Sequence, residues 1–208
     1  MKIGLLGFGV VGRGVYDITS PRPDMQVTRV LCLEDITLPD AQVTRDYNEI
    51  LSDSSIDTVV EAMGGLHPAY EFVRAAIENG KNVVIDATNI NLKARRSALS
   101  HFEKMPIKRE AIVFATPFEL CVERDKERSR TVGEAVIKKF LYRFEIPMKY
   151  EGFDIVRFVR SNLVYYYDIL CSQMVDYDQK NPHHIYTVGK HCEVCGSQVE
   201  MRTEYEPL

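Results

Sequence analysis

No stretch of this 208-residue chain approaches the roughly 18 consecutive apolar residues of a membrane-spanning helix, so none is expected. Nor does a secretory leader show itself: Met1 leads straight into a strand-like segment, and the expected compartment is the cytoplasm. Charge of one sign is missing too, because 26 Lys and Arg against 30 Asp and Glu leave a net charge of −4. With no global field to draw in nucleic acid or an anionic membrane, any polyanion contact must be local. Cysteine is scarce and odd in number; five thiols suit reducing conditions better than a disulfide framework. Internal repeats and low-complexity linkers are absent, so no domain boundary stands out. What remains is ordinary globular usage, 45% hydrophobic and 27% charged, which disfavours disorder, collagen and coiled coils and suits one large domain or two small ones.

Strand and helix patterns alternate along the chain. Lys2–Leu6 is a short apolar run closed by Gly7, Val10–Ile18 carries apolar residues at helical spacing, and Val27–Leu33 is a second strand. A short helix at Asp46–Leu51, a buried strand at Thr58–Ala62, a helix at Pro68–Glu78 ended by Gly80 and a strand at Asn82–Ile85 follow. Then come helix Leu92–Phe102, strand Ala111–Ala115, helices Phe118–Glu127 and Gly133–Phe144, and strand Phe153–Val159. Leu163–Met174 reads as a helix, and the polar stretch from Asp176 as a loosely held tail. The expected fold class is α/β: a doubly wound, mostly parallel sheet in three αβα layers, Rossmann-like, with a loosely packed C-terminal tail.

Gly7-Phe8-Gly9-Val10-Val11-Gly12 is G-x-G-x-x-G placed after a strand and opening a helix. In that context Gly7 permits the tight turn, Gly9 lets the backbone approach a diphosphate, and Gly12 lets the helix pack closely, leaving free N–H groups for the anion. Glu34 and Asp35 follow the second strand where a carboxylate would meet the adenosine ribose, which favours NAD over NADP; Arg29 or Arg45 folding toward a 2′-phosphate would favour the reverse. The same segment aligns with a phosphate loop through Gly7, Gly12, Arg13 and Gly14, but arginine replaces the lysine and the magnesium hydroxyl is lacking.

Residues 1 to about 84 resemble the amino-terminal nucleotide-binding domain of homoserine dehydrogenase. The likeness rests on Gly4–Gly12 and on Thr58-Val59-Val60-Glu61-Ala62-Met63-Gly64-Gly65-Leu66-His67-Pro68-Ala69. It implies an NAD or NADP cofactor and places Ala62, Met63, Gly64 and Gly65 along its cleft at a strand's carboxyl end. That family continues after Gly80-Lys81-Asn82-Val83-Val84 with Thr-Ala-Asn-Lys, whose lysine serves catalysis; here the chain reads Ile85-Asp86-Ala87-Thr88-Asn89. Hydride transfer to homoserine is therefore not expected.

From Lys81 to about 160 the chain resembles the second half of a P-loop kinase of the polynucleotide-kinase type, through Val83–Asn89, Ile112–Pro117, Cys121–Asp125, Arg128, Arg130 and the helix Val132–Ile146. The resemblance implies Asp86 and Asn89 at a nucleotide and hydroxyl-acceptor cleft, and Arg124, Arg128 and Arg130 as a lid over the phosphates. Such clustered cations and an orienting carboxylate suit phosphoryl transfer with ATP and Mg²⁺, and this reading would bring a nucleic-acid end as partner. The arginines also read as a solvated helix paired with Glu123, Asp125 and Glu127. Asn181–His184 with His191-Cys192 faintly resembles the start of an HD-type hydrolase; with the His-Asp dipeptide missing and one C-x-x-C too few for zinc, no metal site is expected.

The expected organisation is a dinucleotide-binding half at 1–84, a kinase-like half at 85–160 continuing the same sheet, and a partly helical tail at 161–208. Ala111–Ala115 should then pair outside Asn82–Ile85, in the strand order 3-2-1-4-5-6. Three functions compete: a nucleotide-binding unit of oxidoreductase type without the dehydrogenase active site, a nucleotide or polynucleotide kinase with an irregular phosphate loop, and an inactive fused reading frame. The catalytic candidates are Asp86, Arg124 and Arg128.

Overall fold

β1 (Lys2–Leu6) is apolar along almost its whole length, and Ile3, Leu5 and Leu6 are buried, as both faces of a central parallel strand require. In the computed structural model the chain divides into two units, Met1–Thr88 and Asn89–Leu208; residues 1–160 except Leu66 and Ser129 are described, together with the strands 163–169 and 199–204.

The first unit follows β1 with α1 (Val10–Thr19), β2 (Gln26–Leu31), β3 (Gln42–Thr44), α2 (Tyr47–Leu51), β4 (Thr58–Glu61), α3 (Ala69–Glu78) and β5 (Asn82–Ile85). Its sheet is wholly parallel in the order β3-β2-β1-β4-β5. Tyr16 of α1 packs with Ile3, Leu5, Val27 and Val30 on one face, while Tyr47 and Ile50 of α2 and Ala76 of α3 pack with Leu6, Leu31 and Val59 on the other. Helices thus cover both faces, and the unit is Rossmann-like. Asp46 caps α2 by accepting the Asn48 amide at 2.9 Å, and Gly80, at φ 73°, ends α3. β3, only three residues long, has no counterpart among the expected elements.

The second unit runs α4 (Leu92–Ser100), β6 (Glu110–Phe114), α5 (Phe118–Lys126), α6 (Glu134–Arg143), a 3₁₀ turn at Lys149–Glu151, β7 (Ile155–Arg160), β8 (Leu163–Ile169) and β9 (Val199–Glu204). Its sheet has the order β6-β7-β8-β9, parallel between β6 and β7 and antiparallel thereafter. Three expectations are corrected here. The strand at 110–114 does not extend the first sheet beyond β5 but begins a second one, because β7 supplies a parallel partner through the local crossover by α5 and α6. Ile112 and Phe114 remain 52% and 75% exposed, a pattern foreign to an interior strand of a doubly wound sheet. Leu163–Ile169 is a strand rather than part of a helix, as its Val-Tyr-Tyr-Tyr run favours. Val199–Glu204 likewise belongs to a ladder, so the stretch from Asp176 is not uniformly a loose tail; residues 170–198 lie outside those described.

A buried ion pair organises this unit. Arg95 grips Glu151 with both ends of its guanidinium, Nε at 2.7 Å and Nη2 at 2.9 Å, while Nη1 donates to the carbonyls of Asn89 and Glu145. The two side chains are 5% and 1% exposed.

Candidate functional site

Parallel strand order reverses between β1 and β4, and the loops leaving their carboxyl ends flank the crevice where open α/β sheets bind ligands. After β1 the chain turns at Gly7, whose φ of 93° favours glycine and whose amide donates to the Leu31 carbonyl at 2.9 Å. A Cβ there would stand 3.0 Å from the Ala62 oxygen and 3.0 Å from the Met63 Cα, so this turn lies directly against the loop after β4. Phe8 packs on the core and meets Tyr16 edge to face, with ring centroids 5.8 Å apart. Gly9 precedes α1, no side chain caps the helix, and a Cβ on Gly9 would find nothing within 4 Å.

The first-turn amides of α1 have no carbonyl one turn back, and Val10 and Val11 beside them are exposed. Gly12 is buried against the turn. These features fit a diphosphate: a bare helix start, no occluding side chain at Gly9, and backbone free to approach. Arg13, the lysine substitute of the irregular phosphate loop, places its guanidinium 5.5 Å from the centre of the Phe8 ring.

The loop after β4 carries Ala62, Met63, Gly64 and Gly65, the last two at positive φ. Glu61, buried at the end of β4, accepts the amides of Met63 at 2.7 Å and Gly64 at 3.2 Å through Oε1. Its role escapes sequence reasoning; a carboxylate closing an otherwise apolar strand is the available signal. Asp86 follows β5, exposed, with its amide donating to the Glu61 carbonyl at 3.0 Å. It thus shares the carboxyl edge of the sheet with the glycine turn.

Glu34, expected to meet an adenosine ribose, is exposed on the loop leaving β2. Neighbouring Asp35 accepts from Arg45 at 2.6 Å, both side chains lying open to solvent, where ion pairs contribute little. Arg29 is turned elsewhere, donating to Asp53 and Glu49 at 3.0 Å each. It lines a groove of about 520 Å³ with Lys2, Asp40, Gln42, Asp53 and Ser55, near the amino ends of β1 and β3 and away from the glycine turn.

Arg124, Arg128 and Arg130 belong to the second unit, exposed on α5 and the connection to α6. Of their expected partners, Asp125 serves instead as a structural acceptor: its carboxylate takes the amides of Val132 and Gly133, the latter at 2.8 Å, at the start of α6. Those bonds hold the Asp125 carboxyl below the usual carboxylate range. Asn89 has φ 32° and its carbonyl accepts from Arg95. The histidines and cysteines at 181–195 lie outside the described residues.

Comparison with known proteins finds two likenesses. The family described as AAA domain matches residues 53–147, a range that starts after the glycine turn and takes in Asp86, Arg124 and Arg128. Homoserine dehydrogenase of Methylobacillus glycogenes is 38% identical over 98 residues, covering 40% of this chain and 24% of that enzyme. A scyllo-inositol 2-dehydrogenase (NADP(+)) of Bacillus subtilis is 32% identical over 92 residues, covering 41% and 25%. Among solved structures, homoserine dehydrogenase of S. aureus aligns with a TM-score of 0.43 at 27% identity, covering 50% of this chain and 30% of that one. The chain spans about a quarter of the length of the curated relatives it matches. The resemblances seen in the sequence, to a homoserine-dehydrogenase nucleotide-binding region and to a P-loop kinase-like region, both stand. Among the described residues no helix is long and apolar enough to cross a membrane.

Proposed function

We propose that the unit Met1–Thr88 binds a nicotinamide dinucleotide, as the nucleotide-binding part of an oxidoreductase-type protein. The observation that carries the reading is the open space at Gly9 before an uncapped α1, at the β1/β4 crevice. Two dehydrogenases named for different substrates match similar shares of this chain, which supports a shared cofactor-binding unit rather than a shared substrate. In this reading Gly7–Gly12 hold the diphosphate and Ala62–Gly65 line the second mononucleotide. Glu34 takes the ribose hydroxyls and favours NAD, whereas Arg45, released from Asp35, would favour NADP. The dehydrogenase's catalytic lysine has no counterpart after β5, so we assign cofactor binding in the cytoplasm without homoserine oxidation.

A second reading, favoured by the AAA domain match, is phosphoryl transfer from Mg-ATP to a nucleotide or nucleic-acid end, with Asp86 of the first unit and Arg124 and Arg128 of the second as the candidate residues that the matched range takes in. Its weakness is the phosphate loop, since Arg13 rests on Phe8 and the match begins beyond that turn. Titration with NAD(H), NADP(H) and Mg-ATP separates the two. Saturable nicotinamide binding supports the first; saturation by Mg-ATP alone supports the second; binding of neither leaves an inactive fusion.

A further inference from the structure

A buried carboxylate is costly unless its oxygens are satisfied, and Glu61 is 5% exposed. Its Oε1 draws the Met63 and Gly64 amides inward, so the loop against Gly7 rests on a fixed anion. Neighbours feel that anion: the Tyr70 phenol is pushed up by burial first and by the Glu61 charge second. Asp86 brings another carboxylate to this edge through its amide on the Glu61 carbonyl.

In a sheet of this order the diphosphate belongs at the start of α1, and the second mononucleotide half begins with β4. That half receives the nicotinamide. An oxidised nicotinamide ring is cationic and a reduced one neutral, so a carboxylate behind the β4 loop acts differently on the two. We propose that Glu61 is a positioning residue that holds the β4 wall of the cleft and shifts its preference toward the oxidised dinucleotide. The proposal rests on the nicotinamide reading above.

Calorimetric titration of the full chain with NAD⁺ and with NADH, or with the phosphorylated pair if only that pair binds, gives the ratio of the two affinities. Glu61→Gln removes the charge but leaves an amide oxygen able to accept the same two N–H groups. The expected result is a loss of roughly tenfold in affinity for the oxidised form and a change of less than about twofold for the reduced form. A wild-type chain that binds both forms, with a ratio unmoved in E61Q, overturns the proposal and leaves the cleft reading intact. A wild-type chain that binds neither form overturns both. Should E61Q fail to fold, hydrogen exchange on the wild-type chain decides: slow exchange of the Met63 and Gly64 amides without ligand supports the positioning, and fast exchange at both ends it.

Discussion

A side-chain carbon on Gly12 would stand 2.1 Å from the carbonyl oxygen of Gly7, whereas one on Gly9 would meet nothing within 4 Å. The same motif therefore contains one glycine that the fold needs and one whose missing side chain the fold does not require. Gly12→Ala must push α1 off the turn, and we expect a loss of about 1–3 kcal/mol in urea unfolding. Gly9→Ala should hold stability within about 0.5 kcal/mol while weakening nicotinamide-dinucleotide binding at least about tenfold in the same titration. Equal binding by G9A and wild type would mean that the diphosphate does not approach this turn.

Motifs are legible where local spacing carries the physics. Gly7 and Gly12 are legible from their order along the chain, because a tight turn and a helix contact each demand the missing Cβ at a definite offset. The β1–β2 and β4–β5 pairings follow from apolar runs separated by helical periods. What escapes depends on distant partners. β6 carries an ordinary apolar run, and only the presence of β7 decides which sheet it joins. Asp125 reads as a partner on a solvated helix and Glu61 as one position of a buried strand, yet their carboxylates accept backbone amides two to eight residues away. Leu163–Ile169 is deceptive because its apolar spacing suits a helix, while its Val-Tyr-Tyr-Tyr run has high strand propensity.

The Arg95–Glu151 pair should dominate the stability of the second unit. Both side chains are almost wholly buried, so Glu151→Ala strands a guanidinium without its anion at a cost of about 3–5 kcal/mol. Replacing both residues with apolar ones should recover only part of this loss, because Nη1 also serves the Asn89 and Glu145 carbonyls. Denaturant unfolding followed by hydrogen exchange in β6 and β7 measures both variants; a double variant as stable as wild type would show those carbonyls to be satisfied without the arginine.

Asp125 makes a different prediction, kinetic rather than energetic. Its carboxylate holds the amides of Val132 and Gly133, so Asp125→Ala should free the α5–α6 connection and speed tryptic cleavage at Arg128 and Arg130. Asp125→Asn, which keeps one acceptor oxygen, should fall between the two. Unchanged cleavage in D125A would mean that the helix start is held by other contacts.

Acid should weaken the first unit through Asp53. Its Oδ1 accepts from the Ser55 hydroxyl at 2.7 Å and the Ser55 amide at 2.9 Å, and its Oδ2 accepts from Arg29 at 3.0 Å. With the Ser55 hydroxyl the largest influence and Arg29 next, the carboxyl is drawn down from 3.8 to about 2. A folded-state value below the unfolded one means that the unfolded chain takes up the proton first. The contribution is therefore complete above about pH 4 and fades as pH falls toward about 2. Solvent screening of this partly exposed group leaves about 1 kcal/mol. Asp53→Asn should lower the urea midpoint at neutral pH and flatten its dependence between these limits, so that the two chains converge in acid. Parallel curves across that range would place the lowered carboxyl elsewhere.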